Sequence, residues 1–123
     1  TDSWDDVLAK VDKPDVPVTR DVRFHPLATA EVVEAQLWYE DRVDGLSVRF
    51  LDAVRATTKR AARWPNAGTP TRQDDSGDPL ERKVGLAGFP YIVVYRVAGE
   101  NLEILAVHHE HRRPFYWADR VTE

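Results

Sequence analysis

Apolar residues recur along this chain with two different periods, and the order in which they switch predicts the architecture. Tyr91 to Val97 (Tyr-Ile-Val-Val-Tyr-Arg-Val) and Leu102 to Val107 (Leu-Glu-Ile-Leu-Ala-Val) are dense in β-branched and aromatic residues. Such residues fit a pleated, well-covered sheet. The four residues Ala98 to Asn101 supply a short turn between them, so the pair predicts a β-hairpin. Upstream the spacing becomes helical. Ala28, Val32, Ala35, Tyr39 and Val43 fall on one stripe, widened by Val33, Leu37 and Trp38, as on a helix that covers a core. Pro26 opens this helix, where its missing N–H costs nothing. It is expected to run to about Asp44, with Gly45 as its C-terminal cap.

A second helix from about Leu46 to Arg63 would bury Phe50, Leu51, Val54 and Ala61. The tight connection at Gly45 makes the two an antiparallel helical hairpin. Arg42, Arg49, Arg55, Lys59, Arg60 and Arg63 read as solvated faces of these helices. Val22 to His25 is a brief alternating strand, and Leu80 to Val84 another. Between them Ala67 to Pro79 turns to Gly, Pro, Thr, Ser and Asp, a surface loop. One turn of helix is expected near Phe115–Asp119. The fold class is therefore α+β in the order β-α-α-β-β-β: a two-helix antiparallel hairpin packed on a twisted, mainly antiparallel four-stranded sheet. Its strands are expected over 21–25, 80–85, 91–97 and 102–109.

Residues 1–20 stand apart as an acidic N-terminal extension, and 21–123 form one domain. In the extension Trp4, Val7, Leu8 and Val11 fall on one face of a short helix. Asp2 or Ser3 can cap it, Asp5 and Asp6 suit its first turn, and Pro14 stops it. Asp15 to Val18 continues as an extended connector.

Composition narrows the function classes. The net charge of −4 is uneven: six acidic and three basic side chains fall in residues 1–21, leaving 15 acidic and 14 basic groups, net −1, for the rest. A nucleic-acid binder usually carries a basic excess, so any such contact has to be local. With no cysteine there is neither a disulfide framework nor a thiolate metal site, which fits a reducing cytoplasm. No apolar run approaches the roughly 20 residues of a membrane span, and no signal-peptide pattern opens the chain. Thr is first and Met is absent, so loss of the initiator is expected. No cofactor and no membrane partner is expected.

The candidate chemistry gathers at the end, in His108-His109-Glu110-His111-Arg112-Arg113-Pro114-Phe115-Tyr116-Trp117. Strand alternation sends His108 and Glu110 to one face and His109 and His111 to the other. Three histidines on one strand converge poorly and bring no carboxylate with a clear role, so no metal site is expected.

Several residues, in order, give the chain a likeness. Phe24-His25-Pro26 precedes the first helix and Trp38-Tyr39-Glu40 lies within it. Gly45-Leu46 and Phe50-Leu51 mark the second, and Arg82, Phe89-Pro90-Tyr91, Tyr95 and His108 to Trp117 follow. Over roughly residues 21–120 this resembles the RelE/ParE superfamily, the toxin halves of type II toxin–antitoxin (plasmid stabilisation) modules. The resemblance implies a helical hairpin on a twisted antiparallel sheet, growth inhibition, and a cognate antitoxin that wraps the toxin in a hetero-oligomer. It also implies one of two targets: ribosome-bound mRNA, cleaved by RelE-like members, or DNA gyrase, inhibited by ParE-like members without hydrolysis. Metal-free RNA cleavage needs a base, an acid and cations around the phosphorane. His109 or His111 could be the base. Arg82, Arg112 and Arg113 could hold phosphate oxygens, and Tyr116 stands where the nuclease branch uses a C-terminal tyrosine. The near-neutral body favours the gyrase inhibitor. The mRNA endonuclease and an inactive, antitoxin-binding member are the alternatives.

Overall fold

The computed structural model describes residues 20–121. The expected helix over Trp4–Val11 and the connector after it lie outside the described residues. The elements are β1 (Asp21–Phe24), α1 (Pro26–Glu40), α2 (Leu46–Arg63), β2 (Thr69–Pro70), β3 (Arg82–Gly85), β4 (Tyr91–Ala98) and β5 (Asn101–His109). A 3-10 turn follows α2 at Pro65–Ala67 and another closes the tail at Ala118–Arg120. The sheet has five strands in the order β1-β5-β4-β3-β2. β1 runs parallel to β5, with Asp21 opposite Asn101 and Phe24 opposite Ile104. All other pairs are antiparallel.

The strand expected only as loop is β2. Thr69 and Pro70 pair with Lys83 and Arg82, and the loop beyond them closes on itself. The Asp74 carboxylate accepts the N–H groups of Ser76 and Asp78 at 2.8 and 2.9 Å, as Asp does in turns. Proline at a sheet edge removes a donor that would otherwise face water.

Two cores flank the sheet. On the helix side Ala28, Ala35 and Tyr39 of α1 and Phe50, Val54 and Ala61 of α2 pack on Val93, Tyr95, Leu102, Ile104 and Val107. Tyr39, Phe50, Phe89 and Tyr91 form an aromatic cluster there, with centroids 5.2–6.3 Å apart. On the other side Val94, Leu105 and Ala106 are covered by Trp117 of the tail. Adjacent residues Leu105 and Ala106 face the same way because β5 bulges opposite the Val94/Tyr95 step. The bulge sets one extra residue against its partner strand.

The first helix differs from its sequence expectation in two ways. It ends at Glu40, not Asp44, because the Tyr39 carbonyl takes the N–H groups of both Arg42 and Val43 and the chain turns. Gly45, with φ of +81°, then starts α2 instead of capping α1. The apolar stripe is also narrower than expected. Val33, Leu37, Trp38 and Val43 are exposed, so the hairpin keeps an uncovered apolar face.

Candidate functional site

β5 outlasts its parallel neighbour. β1 ends opposite Ile104, so residues 105–109 have no strand on that side, and their backbone groups need other partners. Two side chains from opposite ends of the sequence supply them. Glu31 of α1 accepts the Val107 N–H at 2.9 Å, and Arg120 of the tail donates to the bulged Leu105 carbonyl at 2.9 Å. Between themselves they form a bidentate pair at 3.1 and 3.0 Å, with side chains only 13% and 8% exposed. The Tyr116 hydroxyl completes the cluster by donating at 2.5 Å to Glu31 Oε2, the oxygen that also accepts from Arg120 Nη2. Burial, reinforced by that carboxylate, pushes the Tyr116 phenol well above its ordinary range.

The histidines stand beside this lock. His108 meets the Tyr116 ring edge-on at 5.4 Å and donates Nδ1–H to the His109 carbonyl at 2.7 Å. Burial lowers its pKa. The His109 ring stacks on His111 at 5.2 Å and touches the edge of Tyr91 at 5.5 Å. Its Nδ1 accepts the His111 N–H at 3.2 Å, which leaves Nε2 without a hydrogen bond among the described residues. Arg112 lies over the Tyr116 ring at 4.0 Å, and Arg120 lies 4.9 Å from the same ring. Between this group and α1 opens a groove of about 380 Å³, lined by Glu31, Glu34, Trp38, Tyr39, Tyr91, His108, His109 and Arg112. Trp38 is half exposed at its rim, with the Arg42 guanidinium 3.8 Å from its ring centre.

The structure thus brings His109, His111, Arg112 and Tyr116 to one end of the sheet and adds His108. Arg113 follows them, exposed, before Pro114. Arg82 is elsewhere. In register it sits opposite Tyr95 and donates to the Gly68 and Asn66 carbonyls at 2.8 and 3.3 Å. Tyr95 grips the same turn, donating to the Pro65 carbonyl at 2.7 Å and accepting the Gly68 N–H at 3.1 Å. A Cβ on Gly68 would overlap the Tyr95 hydroxyl. Arg82 and Tyr95 therefore clamp the exit of α2.

Glu31 and Arg120 were not among the expected site residues. They are 89 positions apart, so no local spacing joins them. One signal was available: Glu31 falls between Ala28 and Ala35 at i+3 and i−4 on the core stripe of α1, and an acid there needs a partner. A second missed pair, Arg72 and Glu81, buries a carboxylate of 0% exposure beside β3, with the Thr71 hydroxyl adding a bond at 2.9 Å.

Comparison with known proteins decides what carries this site. The model of the family described as ParE toxin of type II toxin-antitoxin system, parDE, matches residues 22–114. The chain belongs to the ParE toxin family. Toxin ParE2 of Mycobacterium tuberculosis, found in two strains, is 35% identical over 101 residues, covering 79% of this chain and 88% of the relative. The chromosomal ParDE toxin–antitoxin system of P. aeruginosa contains a chain of like fold. That likeness has a TM-score of 0.60 and 17% identity, and covers 74% of this chain and 96% of the other. As a ParE toxin the chain is one half of a ParDE type II module, which implies a cognate antitoxin partner.

Proposed function

We propose that this ParE toxin arrests growth by binding DNA gyrase in the cytoplasm through protein–protein contact, without cleaving RNA, until its antitoxin covers it. The observation that supports this reading is the commitment of Tyr116. Its hydroxyl keeps its proton and donates it in a hydrogen bond to Glu31, which Arg120 already neutralises, and this supports a structural donor over a poised acid or base. Arg82, which a nuclease would need near the scissile phosphate, instead holds backbone carbonyls beyond the far end of α2. What remains at the groove is a group of imidazoles, His108 and His109 with His111 stacked behind, and the Arg112 cation, without the second arginine of a phosphate cradle. A groove with aromatic walls and mixed charges suits a protein partner, since exposed Trp, Tyr and Arg are the residues that dominate protein interfaces. Among the described residues no helix is long and apolar enough to cross a membrane.

The nuclease reading keeps one observation in its favour, the gathering of His109, His111 and Arg112 at a single edge. Two assays on purified protein separate the readings. The expected result is dose-dependent loss of supercoiling by purified gyrase, with primer extension on ribosome-bound mRNA showing no new cleavage ends. Fresh ends that vanish with His109→Ala, while supercoiling continues, would reverse the assignment.

A further inference from the structure

We propose that residues 1–19 of this same chain dock in cis, as a short amphipathic helix, on the outer face of the helical hairpin. This occupant is independent of the gyrase reading. The docking surface is an apolar groove of about 280 Å³ between α1 and α2, walled by Phe24, Val32, Val33, Leu51 and Val54, with Arg55 on its rim. Phe24 and Val33 in its wall are 36% and 45% exposed, and Leu37, one turn beyond Val33 on α1, is 58% exposed. Contiguous apolar surface of this kind marks a contact site.

Three observations name the occupant. The first is position. Phe24, part of the groove wall, is the last residue of β1, the strand that the segment leads into. Pro14 to Arg20, extended, spans up to about 23–25 Å, more than the roughly 10 Å length of β1. A helix over residues 4–11, about 12 Å long, therefore reaches the groove. The second is pattern: Trp4, Val7, Leu8 and Val11 make one apolar face that matches the groove. The third is charge. Residues 1–19 hold five aspartates and two lysines, net −3, while α2 holds Arg49, Arg55, Lys59, Arg60 and Arg63 against Asp52, net +4. Of the three α1 acids, Glu31 and Glu34 line the histidine groove on the other flank, and Glu40 is the last residue of the helix, away from the groove between Phe24 and Arg55. At the junction the Arg20 Nε is enclosed without an acceptor among the described residues, a donor that an aspartate of the segment can satisfy.

The chain has no cysteine, so introduced pairs report placement directly in the full-length protein. A tether alone brings any two sites together at roughly millimolar effective concentration, so the rate comparison is what decides. Leu8→Cys with Val33→Cys is expected to close an intramolecular disulfide at least tenfold faster than Leu8→Cys with Arg113→Cys. Adding Trp4→Asp should abolish that difference. Equal rates for the two pairs, or faster closure at position 113, overturn the proposal. Covalent dimers in place of closed monomers also overturn it, since they would make a second copy the occupant.

Discussion

At the scale of single residues, Tyr116 and His108 share one environment and answer to it differently. The Tyr116 hydroxyl donates to a carboxylate that already carries an arginine, so Tyr116→Phe removes a bond to a charged group. We expect a loss of about 1.5–3 kcal/mol in stability, read by urea unfolding, with gyrase inhibition per folded molecule unchanged. A loss of inhibition without a loss of stability would instead give the hydroxyl a direct role. For His108 the cause is burial, which lowers its pKa, so the unfolded chain takes up the proton first as pH falls. Its contribution to stability is complete above the ordinary histidine value of about 6.5 and declines as pH drops through that value toward the lower folded one. The urea midpoint should therefore fall between pH of about 7 and 5, and His108→Asn should flatten that slope.

Among the elements, the free edge of β5 is the most exposed to damage. Removing one partner of a buried ion pair costs about 3–5 kcal/mol, and Glu31→Ala leaves Arg120 in that state while freeing the Val107 N–H. We expect a fall of that order, with concentration-dependent association through the opened edge, visible by light scattering before thermal unfolding. On β3, next to the opposite edge strand, Arg82→Ala should loosen the turn after α2 at a cost of about 1–3 kcal/mol and leave inhibition intact; circular dichroism melts and the supercoiling assay together check this. The sequence carried the elements well wherever local periodicity decides them. The two hairpins, the succession of elements along the chain apart from β2, and the start of α1 at Pro26 all follow from residues within a few positions of each other. It failed where partners are remote. Neither the parallel partnership of β1 and β5 nor the Glu31–Arg120 seal leaves a trace in spacing. The partners that Arg82 has in the fold are backbone carbonyls, which sequence does not display. The wide apolar stripe of α1 overstated the core for a related reason: periodicity marks a surface that avoids water, and Val33 and Leu37 do not find cover among the described residues.

For the whole molecule, the near balance of charge outside the N-terminal segment has a measurable sequel. A partner reached through six to ten phosphate contacts would lose about 10³–10⁵ in affinity between roughly 50 and 200 mM salt. Binding to gyrase through protein surfaces should weaken less than about tenfold over that range, and titration by fluorescence anisotropy at both salts distinguishes the two. The topology carries a consequence in time. β5 lies between β1 and β4, yet it is the last strand of the chain, and β1, the first, has no other neighbour in the sheet. A ribosome adding about 5–20 residues per second needs several seconds to travel from Phe24 to Asn101. Throughout that interval β1 has nothing to pair with, and the helices lack β5, the strand that joins β1 to the rest of the sheet. A stop codon ahead of Asn101 is therefore expected to yield a fragment in which β1 has no partner strand, a loss that circular dichroism of the truncated chain would read.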